Sequence, residues 1–396
     1  MTTATQDKLW NSNYIKVWLG NFLIHFAFTL IVPLLPLYLS DTFGATRDTI
    51  GLVLAGYSVM AILVRPFSGF LVDSLPRRAM LLFCYFLFFA VFAGYLVAGS
   101  LTLFAIFRTI HGLPFGATAV SISTAAIDVL PSSRRTEGIG YYGLSSNFAT
   151  AIGPALAIWL LKMFEGDYQL LFGVSMALSF VGLVVVSTIK FRPRDFVPGK
   201  PVVSLDRFFL LGGIPEALAI LCYSFSYGIL STYVAIYGRD ELGIEGGTGL
   251  FFTLFAVGLI VSRLTGAKGL RDNRLTHNAA EGVLVSVCGY LLFAAVKTPW
   301  AFYASALVIG LGNGHMFPAF QNMFINLAEN NQRGTANSSI QTSWDTGVGL
   351  GILFGGLASE YAGYHAAFWV AFCINLAGVA VFFLKPRRHF ESHKLR

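Results

Sequence analysis

The chain has 396 residues, 55% of them hydrophobic and only 12% charged, where a soluble domain carries roughly 25% charge. That composition excludes a freely soluble globular enzyme. The formal net charge of +7 reads as topological, an excess of Lys and Arg held in loops on the inner side of a membrane, and not as a nucleic-acid footprint.

A helix needs about 20 apolar residues to cross a bilayer. Runs of that kind recur from one end of the chain to the other. Twelve spans are predicted, at about 18–40, 49–72, 79–98, 101–129, 138–163, 168–190, 208–237, 248–267, 277–296, 299–328, 334–361 and 364–384. So little chain remains between them that no catalytic or nucleic-acid-binding domain fits outside the bilayer. The expected fold is an all-α membrane protein with twelve transmembrane helices, working in contact with the lipid bilayer and without a nucleic-acid partner.

No cleavable signal is expected, because the first 17 residues are polar and the first apolar run is already as long as a span. With the N-terminus inside, the inner segments hold 20 of the 27 Lys and Arg and the outer ones 4, while Arg65, Arg108 and Arg263 fall within spans. This asymmetry predicts both termini in the cytoplasm and a plasma (inner) membrane location. Cys84, Cys222, Cys288 and Cys373 all lie in apolar spans without ligand-like spacing, so buried free thiols are expected, with no metal site and no cofactor.

Midway along the chain, residues 191–207 contain RPRDFVPGKPVVSLDR, whose prolines and basic residues predict a cytoplasmic linker. It would join an N-terminal bundle of six helices, residues 1–190, to a C-terminal one, residues 208–396. Sliding the second half back by 198 positions brings Arg65 onto Arg263, Gly112 onto Gly310, Gly116 onto Gly314, Arg135 onto Arg333 and Gly153 onto Gly351. At the same offset Asn147 meets Asp345 and Asp128 meets Asn326. The halves read as copies, expected to be related by a pseudo-twofold axis along the membrane normal, as in a large class of secondary transporters.

Between spans 2 and 3 stands GFLVDSLPRRAML, residues 69–81, with Gly69, Asp73, Arg77 and Arg78 at its corners. This stretch resembles the signature loop of the major facilitator superfamily. The resemblance implies a gate on the inner side, built from charge pairs that break and re-form as access alternates. The matching place in the second half, GAKGLRDNR, is degraded. Three further segments are similar to the family's exporters: VPLLPLY in span 1 with Pro33 and Pro36, RTIHGLPFG in span 4, and the Gly153–Pro154 pair in span 5, a helix-packing motif. Ala149 and Ala157 stand where the antiporter signature has glycine.

An ionisable side chain at the bilayer centre costs about 2.5–3.5 kcal/mol on insertion scales, so each one asks for a reason. His25 lies about 14 Å along span 1 from Lys16, and Asp345 about 18 Å along span 11 from Arg333, both near the midplane. Glu216 lies about 14 Å from Arg207 on span 7. Asp345 is the leading candidate for carrying a proton, and a structural carboxylate is the alternative. Glu216 could carry the proton, meet a cationic substrate or act as a conformational latch. Arg108 looks like the family's span 4 arginine, which implies an influence on proton transfer; an anchor for an anionic substrate and a pairing with backbone carbonyls stay open. His25 and His111 titrate near neutral pH or serve as hydrogen-bonded core histidines.

The resemblance also implies that spans 1, 4, 7 and 10 line a central cavity. Helical spacing puts Asn21, His25 and Phe28 on one face of span 1 and Arg108, His111 and Phe115 on one face of span 4. Tyr223 and Tyr227 share a face of span 7, and Asn313, Phe317 and Gln321 a face of span 10. Aromatic surface with a few polar groups suits an amphipathic organic solute. The expected function is proton-coupled export of a small organic or amphipathic compound by a monomeric secondary transporter, with protons and a small-molecule substrate as its partners. An importer or facilitator of a sugar or organic acid is the alternative. A membrane-embedded enzyme would need a clustered catalytic set, and the sequence displays none.

Overall fold

The structure, a computed structural model, describes residues 8–45, 47–191, 208–244 and 248–395. It divides into two compact units, Met1–Ser204 and Leu205–Arg396. The predicted linker lies outside the described residues except for Phe191, as do the side chains of Pro33, Pro36 and Pro154.

In the first unit α1 (Ser12–Ile31) continues through a short 3-10 turn into α2 (Leu35–Phe43), and α3 (Arg47–Ser74), α4 (Arg77–Val97), α5 (Leu101–Val129), α6 (Arg135–Met163) and α7 (Tyr168–Ser187) follow. The second unit holds α8 (Ile214–Leu242), α9 (Thr248–Arg271), α10 (Leu275–Ala295), α11 (Pro299–Leu327), α12 (Arg333–Ala362) and α13 (Tyr364–Leu384), then a terminal helix α14 (Pro386–His393). No strand occurs among the described residues.

The offset of 198 reappears in the helix ends. It carries Leu101–Val129 onto Pro299–Leu327 and Arg77–Val97 onto Leu275–Ala295 at both ends, and the 3-10 turn Ser132–Arg134 onto Asn330–Gln332. Each unit also packs by the same plan. α3 lies on α5 as α9 lies on α11, α1 contacts α6 and α7 as α8 contacts α12 and α13, and α4 contacts α5 and α7 as α10 contacts α11 and α13.

Glycines allow the closest of these crossings. A Cβ added to Gly112 would run into the backbone carbonyl of Tyr57, and one added to Gly310 into that of Phe255, the position 198 further on. Without a driving force for helix association between apolar side chains and lipid, such backbone approach is what holds membrane helices together. At the α1–α6 seam a Cβ added to Gly153 would run into the side chain of Thr29, whose hydroxyl donates to the Ala149 carbonyl at 3.0 Å.

Nine stretches of helix among the described residues are long and apolar enough to cross a bilayer. The predicted spans at 138–163, 299–328 and 334–361 form equally long helices, α6, α11 and α12, of 29, 29 and 30 residues, with more polar composition. Their polar side chains are largely turned inward: Ser145, Asn313, Asn322, Asn337, Ser338 and Ser339 are buried. The outer surface is apolar instead, with Leu52, Phe67, Phe83, Trp159, Leu264 and Leu353 all more than half exposed. In water such a surface would aggregate; in hydrocarbon it is at home. The thiols follow this rule and correct the expectation made for them: Cys84 is buried and Cys222 half-buried, whereas Cys288 and Cys373 are exposed on the apolar surface. All four are free.

Candidate functional site

The signature loop is a knot of charge within the first unit. Arg77 opens α4, and its guanidinium donates to Asp73 at 3.1 Å, to Asp128 at the end of α5 at 2.8 Å, and to the Val72 carbonyl. Asp73 and Asp128 both stand near helix C-termini, where the helix dipole disfavours an anion, so each calls for a cation. Arg78 donates to the Ser187 carbonyl at the end of α7 at 3.0 Å. One turn therefore binds the ends of α3, α4, α5 and α7, and Gly69 is buried on α3 just before it.

Further along the same helices the structure brings together His25 and Phe28 from α1, Tyr57 from α3, Phe88 from α4, and Arg108, His111 and Phe115 from α5. Arg108 is 3% exposed, its guanidinium carbon 4.0 Å above the Tyr57 ring and 5.6 Å from the Phe28 ring. Its Nε and Nη1 are buried without a hydrogen-bond partner among the described residues. Cation–π contact with a desolvated guanidinium is worth about 2 kcal/mol, which offsets part of the cost of burying the charge. Phe28 stacks on Tyr57 at 5.2 Å and on Phe115 at 4.6 Å, so the cation rests against a continuous aromatic wall.

The two histidines of this cluster differ. His111 is fully buried, with Nε2 3.1 Å from the Phe88 carbonyl and Nδ1 2.8 Å from the Tyr95 hydroxyl. A carbonyl only accepts, so Nε2 carries the proton and Nδ1 accepts from Tyr95. Both ring nitrogens are then spent on packing α4 against α5. His25 donates from Nδ1 to the Asn21 carbonyl at 2.9 Å, the ordinary i to i−4 reach within a helix, and its ring meets the Phe115 edge at 5.7 Å. That tautomer leaves a lone pair on Nε2.

A second cluster forms in the other unit. Trp344 of α12 packs on Tyr227 of α8 at 5.6 Å and on Phe317 of α11 at 5.2 Å, and Tyr227 stacks on Phe255 of α9 at 5.7 Å. Asp345 follows Trp344 and is half-buried.

Other predicted residues are engaged elsewhere. Asn21 donates to Ser145 at 2.7 Å and accepts from Tyr142 at 2.7 Å, which makes it a clamp between α1 and α6. Gln321 donates to Asn337 at 3.1 Å between α11 and α12, and Asn313 accepts from Ser286 of α10 at 3.4 Å. Tyr223 is 1% exposed behind Phe320, and its hydroxyl has no partner among the described residues.

Glu216 requires a correction. Its spacing from Arg207 predicts a place about 14 Å along span 7, but the helix starts only at Ile214, after a Gly-Gly 3-10 turn and with Pro215 in its first turn. Glu216 thus sits at the very start of α8, fully buried, accepting from His389 of α14 at 3.0 Å.

Sequence reasoning passed over Tyr57 and Trp344. Tyr57 had a signal, since the 198-residue offset pairs it with Phe255; Trp344 had none beyond standing next to Asp345.

The family model of the Major Facilitator Superfamily matches residues 17–277 and 279–396. The quinolone resistance protein NorA of Staphylococcus aureus is 23% identical over 391 residues, 95% of this chain and 97% of that protein. Among solved structures, the human organic anion transporter MFSD10 superposes with a TM-score of 0.78 at 17% identity, covering 94% of this chain and 99% of that one. The E. coli fucose:proton symporter FucP superposes with a TM-score of 0.76 at 16% identity, covering 97% of this chain and 98% of that one.

Proposed function

The chain belongs to the Major Facilitator Superfamily, a multi-pass membrane transporter of small molecules and not an enzyme, and from that premise we propose that it is a monomeric, proton-coupled exporter of small amphipathic organic compounds. The observation that carries this reading is the aromatic wall of Phe28, Tyr57 and Phe115 with Arg108 set into it. Flat apolar area with one polar group fits a solute that is itself mostly apolar with one polar end. The similarity to NorA, whose name is that of a drug resistance protein, points the same way.

Alternating access by two six-helix halves requires a group that takes up a proton on one side and releases it on the other. Asp345 is that group in this reading: a half-buried carboxylate beside Trp344, whose copy in the first half is the non-titrating Asn147. His25, with its Nε2 lone pair, assists, and Arg108 biases the ionisation of its surroundings through its buried charge. Gly69, Asp73, Arg77 and Arg78 hold the inner ends of the first half, and Gly153 sets the approach of α6 to α1. Both termini are cytoplasmic in a plasma or inner membrane, because that orientation puts the basic loops inside.

The test is purified protein in liposomes under an imposed pH gradient, screened with cationic, neutral and anionic aromatic solutes. Gradient-driven export that Asp345→Asn abolishes and Glu216→Gln leaves in place is expected. Wild-type coupling in Asp345→Asn, or transport indifferent to the gradient, would overturn it. The unpartnered N–H groups of Arg108 favour a second reading, an importer of an organic acid, for which uptake of anions with the gradient and its loss in Arg108→Gln are expected.

A further inference from the structure

The terminal helix α14 has two unlike faces. The inner one is built into the second unit: Phe390 is 2% exposed, His389 donates to Glu216 of α8, Glu391 accepts from Thr276 of α10 at 2.9 Å, and the Leu395 amide donates to the Asn326 carbonyl of α11 at 2.9 Å. So short a helix would not persist alone in water. These contacts fix it across the ends of α8, α10 and α11, directly after α13.

The outer face is basic and open. Lys385, Arg387, Arg388 and Lys394 are exposed within ten residues. Phe383, Arg387, Arg388, Glu391 and Ser392 line an open groove of about 600 Å³, with the Arg387 guanidinium 5.7 Å from the Phe383 ring. The one acid in this groove is engaged, since Glu391 pairs with Lys394 at 2.7 Å besides holding Thr276. Beside the groove Leu384 is 75% exposed at the end of a helix whose length and hydropathy suit a membrane span. A phenyl ring and a leucine at the edge of the apolar zone, followed at once by two exposed guanidinium groups, match the order of groups in a phospholipid: acyl chain, then phosphate.

We propose that α14 is a strap that docks an anionic phospholipid, with Arg387 and Arg388 on the headgroup phosphate and Phe383 and Leu384 against the upper acyl chain. The lipid then clamps the helix that holds the ends of α8, α10 and α11. Guanidinium groups suit this task because they give two parallel N–H donors to a phosphate and are weakly hydrated.

The test is native mass spectrometry of the full chain in detergent, titrated with phosphatidylglycerol or with phosphatidylcholine. Preferential phosphatidylglycerol adducts are expected, weakened roughly 30-fold in the double variant Arg387→Gln/Arg388→Gln and roughly 5-fold in Arg388→Gln alone. A stabilising shift in Tm on adding phosphatidylglycerol is expected in wild type and lost in the double variant. The proposal is overturned if the variants bind like wild type, if Lys268→Gln/Arg271→Gln at the end of α9 weakens binding as much, or if inorganic phosphate alone gives the same Tm shift.

Discussion

Arg77 is the side chain on which most depends for its size. It is the described cation between Asp73, whose side chain is 3% exposed, and Asp128, at 22%. Replacing it with Met takes the guanidinium from between the two carboxylates, and removing one partner of a buried charge pair typically costs about 3–5 kcal/mol. A clear fall in Tm is expected for Arg77→Met, with Arg77→Lys between it and wild type, measured by thermal unfolding in detergent. His111 has a different test. His111→Phe removes both hydrogen bonds and takes the acceptor from the Tyr95 O–H, for a loss of about 1–3 kcal/mol, while the protein that folds is expected to transport normally. Loss of transport at unchanged Tm would show that His111 touches cargo. The contact between Asp73 and Arg77 is readable from their spacing, four apart across a turn. The contact with Asp128 is not, since 51 residues separate it from Arg77 and only the packing of α4 on α5 brings them together.

At the scale of helices, hydropathy and glycine spacing told nearly all. The span expected at 101–129 is α5, Leu101–Val129, and the run at 299–328 is α11, Pro299–Leu327. The start of α8 was not readable, because apolar residues continue through the 3-10 turn before it and hydropathy is blind to where a helix begins. The crossings at Gly112 and Gly310 are backbone to backbone, so a methyl group there has no flexible side chain to displace. Gly112→Ala and Gly310→Ala are each expected to lower Tm and folded yield strongly and by similar amounts. Gly173→Ala on α7, where the added Cβ meets nothing within 4 Å, is expected to be neutral or stabilising by about 0.4–1 kcal/mol. Size-exclusion profiles and melting curves of the three variants check both statements.

At the scale of the whole chain, each unit has its own buried interior. Phe251, Tyr290, Phe293, Phe302 and Phe368 form one such core wholly within the second unit. The segment 205–396 produced alone in membranes is therefore expected to retain helical content and a cooperative melting transition, measured by circular dichroism. The duplicated plan was legible in residues that sterics or charge leave no freedom to drift, such as Gly112, Gly310, Arg65 and Arg263. What no periodicity could reveal was which neighbours the polar residues bond: Asn21 is tied to Ser145 and Tyr142 on α6, and His111 to Phe88 and Tyr95 on α4.

The register that makes the halves alike also marks where they part. Arg108 falls on Ala306, and Asn147 on Asp345. The helix crossings are given twice over, but the cation stands in one half and the acid in the other. Steric constraint keeps the backbone contacts at Gly112 and Gly310 alike, whereas nothing of that kind ties a charge to its counterpart 198 positions away.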